Sequence, residues 1–79
     1  MSEIVYLPKW GLTMTEGTVL TWLKQVGDHI NQGDDLVEVE TEKVLNVLPA
    51  PASGVLKEIR VPAGGTVDVG AELAVIEPA

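Results

Sequence analysis

The sequence predicts an all-β domain in which two similar strand-turn-strand units pack their apolar faces into a flattened sandwich or barrel. Three observations carry this. Valine occurs twelve times and hydrophobic residues make up 46% of the chain, yet aromatics only 4%, a supply of small branched side chains suited to a thin β core. Leu36-Val37-Glu38-Val39-Glu40 alternates with period two, the pattern of a half-buried strand. The second half repeats the first at an offset of 37 residues: Gly17, Gly27, Gly33 and Leu36 recur as Gly54, Gly64, Gly70 and Leu73, and Val19, Trp22, Ile30 and Val39 are answered by Leu56, Ile59, Val67 and Ile76. Glycines at turns and apolar residues in strands, in one gapless register, describe one unit used twice about a quasi-twofold axis. Residues 1–79 are read as a single domain.

Taken in order, Glu3-Ile4-Val5-Tyr6-Leu7 is a first strand ended by Pro8. Lys9 to Gly17 holds Thr13 and Glu16 at capping-box spacing, but Gly17 and a β-branched run follow where a helix would have to propagate, so the segment reads as a loop. Thr18 to Leu23 is apolar on both registers, which requires either cover on both faces or a bulge. Trp22 is expected in the core and Trp10, in a polar loop, at least partly accessible. Gly27-Asp28, a short segment around Ile30 and the turn Asn31-Gln32-Gly33-Asp34 lead into the strand at 36–40. Val44 to Leu48 is the next strand, bounded by Pro49 and Pro51. Strands at 36–40 and 44–48 are so close that they pair only as an antiparallel hairpin, with Thr41, Glu42 and Lys43 at or beside its tip. Lys43 is thereby presented.

Five basic against twelve acidic side chains give a formal charge of −7, which argues against phosphate-mediated nucleic-acid binding and for docking onto basic protein surfaces. With no cysteine and only His29 as an imidazole, no disulfide, Cys/His zinc site or cysteine nucleophile can be assembled, so thiol or acyl-transfer chemistry would have to be carried by an attached group. Asp34, Asp35, Glu38, Glu40 and Glu42 lack the spacing of a calcium loop and read as a solvated face. No apolar run approaches the roughly twenty residues that span a bilayer. Met1-Ser2-Glu3 lacks the features of a signal peptide. A soluble, cytoplasmic, monomeric domain without membrane or nucleic-acid partners is the expectation. Met1 reads as a natural start, and Glu77-Pro78-Ala79 as either a true end or the beginning of a linker.

Glu40, Glu42 and Lys43 alone read most simply as a charged tip that discourages edge pairing. An exposed Glu-Lys pair contributes at most about 1 kcal/mol, so stability gives little reason for these residues. Position at the midpoint of the repeat favours a functional lysine instead.

Nearly the whole chain resembles the lipoyl domains of the biotinyl/lipoyl carrier superfamily. The resemblance lies in Leu7-Pro8-Lys9, Met14-Thr15-Glu16-Gly17, Trp22, Gly27-Asp28, Gly33-Asp34, Glu40-Thr41-Glu42-Lys43-Val44, Pro49-Ala50-Pro51, Gly54, Gly64 and Gly70. It implies a flattened barrel of two four-stranded antiparallel sheets, with lipoic acid amide-linked to Lys43 in the hairpin context of Thr41, Glu42 and Val44. It also implies that Gly27 and Gly54 set the hairpin relative to the barrel, and that the loop from Lys9 to Glu16 lies near the hairpin. Glu42 and Val44 stand where aspartate and alanine are commonest in the family, and Val47 where an acidic residue is frequent.

By the same resemblance the domain is a non-catalytic swinging-arm carrier of a 2-oxo acid or acetoin dehydrogenase complex, a part of a dihydrolipoamide acyltransferase. Its implied partners are a lipoate ligase or lipoyl/octanoyl transferase, a thiamine-dependent decarboxylase, an acyltransferase catalytic domain and a flavin-dependent dihydrolipoamide dehydrogenase. A biotin carboxyl carrier would use the same barrel but normally flanks its lysine with methionines, here Glu42 and Val44. An unmodified lipoyl-like adaptor would need no presented lysine and usually sits between helices, and a glycine-cleavage carrier is longer.

Overall fold

The computed structural model describes residues 2–42 and 44–78. Among the described residues eight strands follow one another: β1 (Glu3–Tyr6), β2 (Glu16–Trp22), β3 (His29–Ile30), β4 (Asp35–Thr41), β5 (Val44–Pro49), β6 (Gly54–Ile59), β7 (Thr66–Asp68) and β8 (Glu72–Glu77). They form two four-stranded antiparallel sheets, ordered β1-β8-β6-β3 and β5-β4-β2-β7. Alternation turns Val5, Val19, Val37, Val39, Leu56 and Ile76 inward between the sheets, where each is essentially inaccessible. Ile59, Val67 and Trp22 close the margins of this core, partly buried. The indole Nε1–H of the partly buried Trp22 is satisfied by donating to the Val61 carbonyl at 2.8 Å.

The repeat seen in the sequence is a repeat of hydrogen bonds. Gly27 N–H donates to Leu56 O at 2.8 Å, and Gly64 N–H to Val19 O at 2.7 Å; Leu56 N–H donates to Asp28 O, and Val19 N–H to Gly65 O. Each pair is one contact written twice, 37 residues apart, with each half of the chain reaching into the other. The expected strand at 18–23 resolves as a bulge: Val19 pairs with Val39 and Thr21 with Glu38, so Leu20 is left over and 39% exposed. Its counterpart is a bulge between Leu56 and Glu58 in the other sheet. The apolar run is thus explained by an extra residue, not by a second buried face.

Even the outer strands correspond. Asn46, Val47 and Leu48 of β5 stand opposite Val39, Glu38 and Val37, as Glu3, Ile4 and Val5 of β1 stand opposite Ile76, Val75 and Ala74. The hairpin joining β4 to β5 therefore corresponds to the place where the two ends of the chain meet. There Ser2 Oγ donates to Glu77 Oε1 at 2.9 Å and Lys57 Nζ to the same oxygen at 2.7 Å. The hydrogen bond from Lys57, then that from Ser2, holds the Glu77 carboxyl below its ordinary range, and the same bond to Glu77 raises the Lys57 ammonium.

One segment breaks the symmetry. Nine residues separate Leu7 from Gly17, but only three separate the equivalent Ala50 from Gly54. The six additional residues lie in the loop before β2, and this loop folds against the β4–β5 hairpin.

Candidate functional site at the β4–β5 hairpin

Thr41 pairs with Val44, so the loop of the hairpin consists of two residues, Glu42 and Lys43. Lys43 itself lies outside the described residues. Glu42 has φ of +43°, the left-handed conformation that two-residue hairpin loops require at their first position. Glutamate has no short side chain to compensate there, unlike asparagine. Glu42→Asn is therefore expected to stabilise the domain by about 0.5 kcal/mol and to raise the melting temperature by roughly 2–4 °C, measured by thermal denaturation. An unchanged or lower temperature would mean that the loop carries no strain.

The base of the hairpin is held more firmly. Thr41 is the one polar residue buried among those described. Its hydroxyl accepts a hydrogen bond from Asn46 Nδ2 at 3.2 Å, and its methyl packs beside Gly17. A Cβ at Gly17 would lie 2.9 Å from Val39 Cγ1 and 3.3 Å from both Leu7 Cδ2 and Thr41 Cγ2. Leu7 follows the end of β1 remote from the N-terminus, so the hairpin and the paired chain ends occupy opposite poles of a molecule 36 Å long. Beyond the base, Val44, Leu45 and Val47 are exposed on the edge strand β5, with Glu40 and Glu42 beside them.

The structure brings Thr41, Glu42 and Val44 together at the tip, along with a feature that the sequence only suggested. Trp10, Gly11, Thr13 and Met14 of the loop before β2 face Thr41, Glu42, Val44 and Asn46 across a cleft of about 240 Å³. Met14 anchors that loop: it is buried, and its Sδ accepts the Trp10 backbone N–H at 3.3 Å.

Of the glycines expected to set the hairpin relative to the barrel, Gly54 opens β6 and Gly27 lies beside that strand. A Cβ at Gly54 would fall on the Glu77 carbonyl oxygen, whereas a Cβ at Gly27 would meet nothing within 4 Å, its backbone N–H donating to Leu56 O. The glycine packed against the hairpin base is Gly17, the counterpart of Gly54 by symmetry. A pattern anchored on sequence distance from Lys43 cannot tell the two poles apart, because each half contains the same glycines.

The Biotin_lipoyl family, described as “Biotin-requiring enzyme”, matches residues 3–76. The chain belongs to this family. Among Biotin_lipoyl relatives, the dihydrolipoyllysine-residue acetyltransferase component of the acetoin cleaving system of Pseudomonas putida is 51% identical over 78 residues, covering 96% of this chain and 21% of that protein. The chain thus spans about a fifth of that relative's length. The solution structure of the lipoyl domain of the 2-oxoglutarate dehydrogenase complex from Azotobacter vinelandii superposes with a TM-score of 0.77 at 32% identity, covering 96% of this chain and 98% of that one. The Kluyveromyces lactis urea carboxylase contains a similar fold, with a TM-score of 0.83 at 28% identity over 98% of this chain and 6% of that one. The two-sheet barrel and the hairpin are therefore those of a Biotin_lipoyl domain.

Proposed function

We propose that the chain is a lipoyl carrier domain of a 2-oxo acid or acetoin dehydrogenase complex, with lipoate amide-linked to Lys43. The observation that carries this reading is the pairing of Thr41 with Val44, which makes Lys43 one of only two residues in the loop of a firmly based hairpin. The relative that acts in acetoin cleavage and the lipoyl domain of similar structure support it. Among the other lysines, Lys57 is engaged by Glu77 and Lys24 lies 3.9 Å from Asp34, whereas Lys9 sits in the loop.

When attached, the group supplies a dithiolane that accepts electrons and an acyl group, chemistry that a chain without cysteine lacks. The residues of the domain do the positioning. Gly17, Val39 and Thr41 pack together at the hairpin base, and a long lysine stem carried by such a hairpin can enter a partner's cleft. Separation of the hairpin from the chain ends lets a tether hold one pole while the other visits successive active sites, raising the effective concentration of the carried group. The implied partners are the modifying ligase or transferase, the thiamine-dependent decarboxylase, the acyltransferase domain and dihydrolipoamide dehydrogenase. An acidic surface around exposed Val44, Leu45 and Val47 suits docking sites with a basic rim.

Incubation with a lipoate ligase, ATP and lipoate should add one lipoyl group to the native domain and none to Lys43→Ala, read by intact-mass and peptide analysis. Modification persisting in the variant would overturn the assignment. A biotin carrier is the second reading, favoured by the family description and the urea carboxylase likeness. Biotin added by a biotin ligase, with no lipoyl transfer, would establish it instead.

A further inference from the structure

We propose that the cleft between the loop before β2 and the hairpin binds the dithiolane ring of the arm on Lys43, so that the arm rests on its own domain between deliveries. The inference rests on the carrier reading and adds to it a ligand site. Continuity is the first argument. Glu42 and Val44, the neighbours of Lys43 on either side, both line the cleft, so an arm leaving the loop starts at its rim.

Size and chemistry agree. A cavity of roughly 150 Å³ holds a benzene ring. The cleft, at about 240 Å³, therefore has room for a five-membered ring and its adjoining methylenes. One wall offers the half-exposed indole of Trp10, with the thioether of Met14 beneath it. Aromatic edges and soft, polarizable atoms are favourable surroundings for a disulfide ring. Thr13 on the same wall and Asn46 on the facing one carry the polar groups that an amide-linked chain needs along its stem. Asn46 is already oriented by its bond to Thr41.

The departure from symmetry gives the third argument. The equivalent connection in the second half, from Ala50 to Gly54, makes do with three residues, so the fold itself does not require the longer loop. The six extra residues belong to the loop that walls this cleft, beside the loop that carries Lys43. At the pole where the chain ends meet, the connection has no such extension.

The test uses the domain loaded by lipoate ligase with isotope-labelled lipoate, its modification at Lys43 first confirmed by mass. Nuclear Overhauser contacts should join the ring protons to the Trp10 indole and the Met14 methyl, and the Trp10 indole N–H signal should shift relative to the unmodified domain. Gly11→Val is the matched variant: a Cβ there meets nothing within 4 Å, so the fold tolerates it while the side chain intrudes on the cleft. With at least half of the native arms docked, this substitution should make ring motion several-fold faster, approaching that of free lipoamide. Trp10→Ala should act in the same direction. A domain carrying lipoate on Lys43 whose ring is as mobile as free lipoamide, with Trp10 and Met14 signals unmoved, would overturn the docking inference alone. Failure to modify Lys43 would overturn the carrier reading and the docking inference together.

Discussion

Replacing Gly54 by alanine is expected to lower the melting temperature by roughly 12–24 °C, the largest effect of a methyl group added at any of the glycines. The added carbon would fall on the backbone carbonyl of Glu77, not on the movable end of a side chain. Val55 pairs with Glu77 in the same ladder, so relief requires β6 and β8 to part at the centre of a sheet. Overpacking against an unyielding backbone costs about 3 kcal/mol or more. Gly17→Ala is the internal control. It meets Val39 Cγ1, a side-chain atom that can give way, and should cost nearer 1 kcal/mol. Thermal denaturation of the two variants compares the same turn of the repeat at opposite poles. Equal losses would show that the Glu77 carbonyl is not the obstacle.

The second large effect concerns placement of the lysine. Exchanging Lys43 with Val44, or Glu42 with Lys43, keeps composition and net charge, yet each should reduce the lipoylation rate by on the order of 10²-fold. Position 44 belongs to the ladder opposite Thr41, where a side chain stands on the sheet and not in the loop. Position 42 has the left-handed backbone, which aims its side chain differently again. The core residues Val37, Val39, Ile59 and Val67 are untouched, so both variants should fold, as amide NMR spectra would verify. Displaced lysines modified at the native rate in folded protein would reduce the hairpin to a flexible tag.

Much of this architecture is legible in the residues, and the exceptions share a cause. Period-two alternation at 36–40 and the prolines after 48 locate the hairpin because strand direction and ladder donors are local properties. Glycine and apolar positions repeating at 37 residues reveal the two units because both obey the same local constraints. The bulge at Leu20 is decided only by pairing with β4, so the apolar run leaves two explanations open. The role of Gly54 depends on a carbonyl 23 residues later in the chain, which no pattern around Gly54 discloses. Met14 looks like an ordinary loop residue until its burial and its bond from Trp10 reveal it as the anchor that turns the loop toward the hairpin. These are long-range contacts, decided by which segments meet.

The correspondence between β1 and β5 makes the chain a ring cut at one of two similar places. Glu77 and Ser2, joined by a hydrogen bond, occupy the positions that Glu40 and Leu45 occupy at the other pole. A circular permutation that linked Glu77 to Ser2 through a copy of Thr41-Glu42-Lys43-Val44, and opened new ends within the turn at Asn31 to Asp34, would close the cut with a second hairpin. Such a molecule would carry two candidate attachment lysines at opposite poles. Only the original hairpin would face the extended loop, so the two arms would separate what the hairpin contributes to modification from what the loop contributes.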